Sequence, residues 1–404
     1  MGERLNNGGL PIRNPWTVVD YASQRGATTT ERQLEVLDDL PVIDCGLGDS
    51  PFGSPIELES ILGSAVVTGA LRQAIEKYPS DKFCEGPTRL IRERFGISDR
   101  PVVVFQEGGS YALLEKLILQ LPDITPENEL GMMGIGPHFP NVVALTKKHG
   151  VDLNGGYKFP YEAIQPRLDL TLEEKIAEMI NRRGNGNGNK FIYLDNPNNP
   201  TGDFARINTV RRLVEFARQK NDVVIVDEAY GDAIKNEQSA IQLTEEFPNL
   251  IVVRGVAKVI GMAGLRLGYG VMSREIGDTF QSLQLVFGVD GIKQLIANGV
   301  MKPEILKPHI DQVRGKIEEL KGRMLAGLTN SGLWIAPTHP AVPIMLVQGP
   351  EDFFHRLKRY QIVTEKGSDF IETYPLDDSF VRMKVPGSAE EVEEVTKRVG
   401  NAIK

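Results

Sequence analysis

Cysteine is almost missing from this chain: Cys45 and Cys84 are the two in 404 residues. A disulfide-stapled fold is excluded, and a metal cluster is not expected. Long apolar runs are missing too. None approaches the ~20 residues that a membrane span needs. The opening Met1-Gly-Glu-Arg-Leu-Asn-Asn-Gly-Gly9 has no apolar signal core. Asn6 stands where a myristoylated N-terminus carries Ser or Thr. There is no basic excess, the net charge being −8, which argues against general binding to nucleic acid or anionic membranes. The expectation is a cytoplasmic protein without metal, nucleic-acid or membrane partners.

What is present looks globular: 41% apolar and 25% charged residues, close to average composition. The length suggests two or three domains at roughly 100–200 residues each. From about 100 to 275 short apolar runs alternate with helical stripes. Pro101–Gln106, Met132–Gly136, Lys190–Leu194, Val223–Val226 and Leu250–Val253 read as strands. Gly109–Leu121, Pro140–His149, Thr171–Arg182 and the stripe Ile207, Val210, Leu213, Val214, Ala217 read as helices. Continuous apolar strands alternating with helices predict an α/β three-layer sandwich around a mostly parallel sheet. Arg182–Lys190, rich in Gly and Asn, reads as a surface loop. After 275 the pattern changes to a long helix over Ile305–Leu328, short strands near 341–347, 362–364 and 380–384, and a last helix over Ser388–Ala402. That predicts a smaller α+β domain. Residues 70–300 are expected to form the large domain, and 1–69 with 301–404 the small one with an N-terminal arm.

Chemistry-bearing residues fall beside strand ends and turns. Lys258 follows the strand Leu250–Val253 and stands eight residues before Arg266. An amine that condenses with an aldehyde must first lose its proton, which an apolar setting and a nearby cation favour. Asp227 ends an apolar strand, where ligands of open α/β sheets bind, and Tyr230 is three residues on. Asn199 lies in Asn196-Pro-Asn-Asn-Pro-Thr-Gly202, a turn stiffened by two prolines; its bond to Pro200 is expected to be cis. Gly109 and Ser110 open a helix, whose N-terminus suits an anion, with Arg266 as ionic partner. Phe139, in Gly136-Pro-His-Phe-Pro140, can stack on a ring; His138 is assigned no role. Arg382, on a strand among apolar residues, needs an anion: a substrate carboxylate, or a salt bridge to Asp377 or Asp378. A lysine, an aspartate, two phenolic-oxygen donors and an anion cradle are what holds pyridoxal 5′-phosphate, a cofactor that carries the chemistry itself.

From about Leu47 to its end the chain resembles the fold-type-I pyridoxal-phosphate aminotransferases of class I/II, in particular the histidinol-phosphate aminotransferase-like branch. Asn199, Asp227, Tyr230, Lys258, Arg266 and Arg382 match in identity and order. The resemblance implies transfer of an amino group from an L-amino acid to a 2-oxo acid. It also implies a homodimer with shared active sites, in which Tyr78 reaches the partner's cofactor phosphate, and an N-terminal segment around Gly48–Pro55 that closes over substrate. Three features depart from the family. Gly255 and Ala257 stand where hydroxyl side chains are common, and Ser110 is expected to compensate. Thr364 or Glu365 stands near the arginine expected of true histidinol-phosphate enzymes, which puts a phosphate-bearing substrate in doubt. The opening segment reads Gly-Asp-Ser-Pro-Phe-Gly. Because orientation decides which substrate bond breaks, the same residues would also serve a pyridoxal-phosphate decarboxylase, lyase or oxidase.

Overall fold

A computed structural model describes residues 40–46, 48–79, 84–124, 131–149, 161–183, 190–282 and 288–404. The expected N-terminal arm (1–39) and most of the Gly/Asn loop (184–189) lie outside the described residues.

Seven strands form the central sheet: β2 (Val102–Glu107), β3 (Gly131–Ile135), β4 (Tyr161–Ile164), β5 (Lys190–Asp195), β6 (Val223–Asp227), β7 (Leu250–Gly255) and β8 (Leu267–Met272). Their order is β2-β8-β7-β6-β5-β3-β4, and β8 alone runs antiparallel to its neighbours. Alternate side chains feed two cores. Val102, Val104, Phe191, Tyr193, Ile225 and Ile251 face the helices α4 (Gly109–Ile124), α5 (Asn141–His149) and α8 (Arg274–Ser282). Val103, Phe105, Ile192, Leu194, Val226 and Val252 face α3 (Glu85–Phe95), α6 (Leu172–Arg183) and α7 (Ile207–Gln219). This is the expected three-layer α/β sandwich, and burial of both faces is why its strands read as unbroken apolar runs.

Strand β8 escaped the sequence reading because Gly268 and Gly270 interrupt it. A Cβ at Gly268 would fall 2.5 Å from the Gly109 carbonyl carbon and the Ser110 nitrogen. The glycine therefore lets the start of α4 press against the strand.

A second, antiparallel sheet has the order β12-β13-β10-β9, from β9 (Trp334–Ile335), β10 (Ile344–Gln348), β12 (Glu365–Lys366) and β13 (Phe380–Lys384). It packs on α10 (Pro303–Asn330) and α12 (Ala389–Ala402) through Met324, Leu328, Met345, Val381, Val395 and Val399. Near the N-terminus β1 (Ile43–Asp44) pairs in parallel with β11 (Ile362–Val363). Helices α1 (Glu57–Val67) and α2 (Ala70–Glu76) pack against α9 (Gly291–Val300).

Candidate active site

The parallel strands β3, β5, β6 and β7 all end at one edge of the sheet, and antiparallel β8 begins there. The segments after β3, β5 and β6, the β7–β8 connection and the start of α4 after β2 therefore converge on one place. Here a cavity of about 220 Å³ is lined by Gly109, Ser110, Phe139, Asn199, Asp227, Tyr230, Lys258, Arg266 and Arg382. Of the residues given a cofactor or substrate role from sequence, Tyr78 lies elsewhere; it is 82% exposed.

Asp227 is buried at the end of β6. Tyr193 Oη donates to its Oδ2 at 2.9 Å and Ala229 N–H to its Oδ1 at 2.9 Å. Burial pushes its carboxyl up to about 6, against the opposing pull of these two bonds and of Lys258. Lys258 Nζ lies 5.2 Å from the centroid of the Tyr230 ring. Tyr230 Oη is buried and has no hydrogen-bond partner. A Cβ at Gly48 would come within 2.4 Å of that hydroxyl and 2.9 Å of Lys258 Nζ, so only glycine lets the N-terminal segment cross here.

The Asn-Pro turn is held from within. Asn196 exchanges hydrogen bonds with the Ala205 backbone. Asn198 donates to Pro137 O and Asp195 Oδ1, and its own Oδ1 accepts from Thr201. Of the three asparagines only Asn199 lines the cavity. Its Oδ1 accepts from Arg382 Nη1 at 3.0 Å, and because a guanidinium only donates, this fixes which way the amide points. Among the described residues the cis bonds are Gly136–Pro137 and Asn196–Pro197, which corrects the expectation for Asn199–Pro200. Gly202 N–H closes on Asn198 O at 2.8 Å, so residues 198–202 make a compact turn with Pro200 trans inside it.

Arg266 stands just before β8 in the left-handed region, at φ 50°. Its carbonyl accepts from Gly108 and Gly109, and its guanidinium donates to Gly108 O at 2.8 Å. The N–H of Gly109 is therefore engaged. What Gly109 brings to the cradle is the lack of a side chain, since a Cβ there would stand 3.4 Å from the guanidinium. Ser110 and Tyr111 carry the next N–H groups of the helix. Gly255 and Ala257 line the same end of the cavity, and a Cβ at Gly255 would sit 3.6 Å from Ser110 Oγ.

Two further residues were missed in the sequence, and a third, Glu365, was named there only as a departure from the family. Asp195 accepts from the N–H groups of Phe139 and Asn199, both at 3.0 Å, and burial pushes its carboxyl up to about 8. Tyr193 anchors Asp227. Glu365 lines the cavity and its Oε1 lies 2.7 Å from Arg382 Nη2. Glu365 and Arg382 are register partners across β12 and β13, which is why the arginine's ionic partner is neither Asp377 nor Asp378. Asp377 instead holds Ser379, and Asp378 holds Ser368. Among the described residues no group of His, Cys, Asp or Glu is arranged to hold a metal.

A buried hydroxyl without a partner among the described residues, a carboxylate whose charge burial penalises, and a helix start beside an arginine together describe the group this cavity suits. It offers an acceptor to Tyr230, a cation to Asp227 and an anion to Ser110 and Arg266. A protonated pyridine bearing a phenolic oxygen and a phosphate has all three.

The sequence profile of the family described as aminotransferase class I and II matches residues 148–399. The chain belongs to that family. This aminotransferase is similar to a histidinol-phosphate aminotransferase of Caldanaerobacter subterraneus subsp. tengcongensis, 29% identical over 80% of this chain and 83% of the relative. Its fold is that of the aspartate aminotransferase of Thermus thermophilus with maleate (TM-score 0.73, 18% identity, 96% of this chain, 97% of the other). It is also that of a Sinorhizobium meliloti histidinol-phosphate aminotransferase in complex with pyridoxal-5′-phosphate (TM-score 0.68, 19% identity, 89% and 90%). The aminotransferase uses pyridoxal 5′-phosphate and moves an amino group between an amino acid and a 2-oxo acid.

Proposed function

We propose that the cavity is the cofactor and substrate site and that each residue lining it has a distinct task. When bound, the cofactor supplies an electron sink that makes the Cα–H bond of the substrate labile. Lys258 Nζ holds the cofactor in the resting enzyme and carries the proton that leaves Cα. Asp227 keeps the pyridine nitrogen protonated. Tyr230 Oη and Asn199 Nδ2 would donate to the cofactor's phenolic oxygen, Phe139 would pack against its ring, and Ser110 with Arg266 would hold its phosphate. Ser110 supplies the hydroxyl that Gly255 and Ala257 lack. Arg382 fixes the substrate carboxylate. Convergence of Lys258, Asp227 and the unpartnered Tyr230 hydroxyl on one cavity carries this reading.

The relatives named for histidinol phosphate act on a phosphate-bearing amine. In this cavity the three cations, Lys258, Arg266 and Arg382, already have tasks, and among the described lining residues none remains for a second phosphate. The substrate proposed is therefore an amino acid carrying its own carboxylate.

The enzyme is further proposed to be a cytoplasmic homodimer in which Tyr78 completes the partner's phosphate site. Exposed Ile56, Val66, Val67, Ile75 and Tyr78, clustered on α1, α2 and their flanks, supply an apolar face for a second copy. No helix among the described residues is long and apolar enough to cross a membrane. Residues 70–300 are assigned to a large cofactor domain and 1–69 with 301–404 to a small one, on each sheet having its own core, with Leu306, Ile310, Val313 and Ile317 of the long helix packed into that of the large sheet.

Lys258→Ala tests the central role. The variant is expected to keep the wild-type circular dichroism spectrum, to lose the absorbance of lysine-bound cofactor, and to lose turnover by several orders of magnitude. Full turnover by a folded Lys258→Ala protein would overturn the assignment.

A further inference from the structure

The Arg382 side chain is buried to 4% exposure and holds three acceptors: Gly46 O at 2.6 Å, Asn199 Oδ1 at 3.0 Å and Glu365 Oε1 at 2.7 Å. Its Nε is buried without a partner. A carboxylate binds a guanidinium best by two adjacent N–H groups. A substrate carboxylate that satisfied the orphaned Nε with one oxygen would reach for a terminal nitrogen with the other, and Glu365 already holds Nη2. Glu365 is thus an internal competitor for the place of the substrate carboxylate. Its side chain is 20% exposed, so it has room to swing off the arginine.

Once displaced, the Glu365 carboxylate needs a new partner. The other acidic side chains lining the cavity are provided for by the protein, Asp227 by Tyr193 and Ala229, and Asp195 by Phe139, Asn198 and Asn199. The other lining cations are committed, Lys258 beside Asp227 and Arg266 on Gly108 O. Among the described lining residues no cation is left for Glu365, so a charge carried by the substrate would relieve it.

Resting on the reading of Arg382 as carboxylate binder, we propose that Glu365 is a specificity-determining residue. It selects amino donors whose side chain carries a second cation, an amine or a guanidinium. The substrate exchanges one ion pair for two, its carboxylate taking Arg382 and its side-chain cation taking Glu365. A donor with a neutral side chain breaks the Arg382–Glu365 pair and leaves a carboxylate in a largely enclosed cavity, which is costly.

Two readouts on the holoenzyme test this, comparing wild type with Glu365→Gln, which keeps shape and removes charge. The first is the half-reaction with single donors, followed by cofactor absorbance, using amino acids with cationic side chains and neutral ones of equal length. The second is binding of unreactive ligands: 5-(trimethylammonio)pentanoate against its neutral isostere 6,6-dimethylheptanoate, by calorimetry. Wild type is expected to favour the cationic member of each pair by roughly tenfold or more, the worth of one charge-assisted contact. Glu365→Gln is expected to bring both ratios close to one, chiefly through the half-saturation constant. Equal preference in wild type, or a loss in Glu365→Gln that is the same for both members, overturns the role of Glu365 while leaving the transaminase assignment standing. Failure of every donor to change the cofactor absorbance overturns the donor reading itself, and this inference with it.

Discussion

Asp227 is a carboxylate held where its charge is expensive. With its carboxyl pushed up to about 6 by burial, its neutral form contributes stability that is fully present below its ordinary value near 3.8. That contribution is lost as pH rises through about 6. At pH 8 the cofactor-free protein forgoes on the order of 3 kcal/mol for this one group. Asp227→Asn keeps an acceptor for Ala229 N–H and can donate to Tyr193 Oη. Without cofactor it is expected to melt at a higher temperature than wild type, with a gain that grows from pH 5 to pH 8, while its turnover collapses. Thermal melts across that range check it, and a gain independent of pH would contradict it. The residues legible from sequence, such as Asp227, Lys258 and Asn199, flag themselves by standing next to apolar runs or Pro and Gly turns. Glu365 does not. Its importance comes from lying directly opposite Arg382 on the neighbouring strand, 17 positions away in the chain, and linear spacing carries no trace of register.

At the scale of elements, the Asn199 turn is braced from the far side of the molecule by α10. Lys321 is fully buried, and its Nζ donates to Thr338 Oγ1 and to the carbonyls of His339, Val342 and Ile344 at 2.6–2.9 Å. That connection leans on the turn: His339 N–H donates to Gly202 O at 2.9 Å, and a Cβ at Gly202 would meet Ile344 O at 2.1 Å. Lys321→Met removes at once the three N–H donors that these four acceptors share. A loss of roughly 3 kcal/mol is expected, read by urea unfolding, together with a lower turnover number as Asn199 loses its support. An unfolding midpoint unchanged from wild type would show that the brace is dispensable. Helices α6, α7 and α10 and strands β5 to β7 were legible because their apolar period is clean. The edge strand β4 was not, since three of its four residues, Tyr161, Glu162 and Ala163, are not buried. The long helix could be read because its apolar period continues past Pro308, which lies inside it and gives up one helical N–H bond.

For the whole molecule, the apolar face of Ile56, Val66, Val67 and Ile75 predicts a dimer in sedimentation experiments. Val67→Glu combined with Ile75→Lys is expected to shift the enzyme toward monomer and to cut turnover along with it, because Tyr78 would no longer reach a partner. A monomer with wild-type turnover would remove the shared-site proposal. The three-layer class was readable from alternation alone, whereas the approach of the small sheet to the cofactor edge was not. It depends on Gly46, Gly48 and Gly261 allowing the N-terminal segment to cross the site, with a Cβ at Gly261 falling 1.8 Å from Gly53 O. The assembled molecule stands or falls on one titration: purified holoenzyme mixed with single amino acids and no 2-oxo acid, with cofactor absorbance followed and oxo acid, amine and carbon dioxide assayed. The account predicts a stoichiometric absorbance change with one 2-oxo acid formed per site and then no further reaction. Continued release of amine or carbon dioxide with the starting absorbance restored would contradict it.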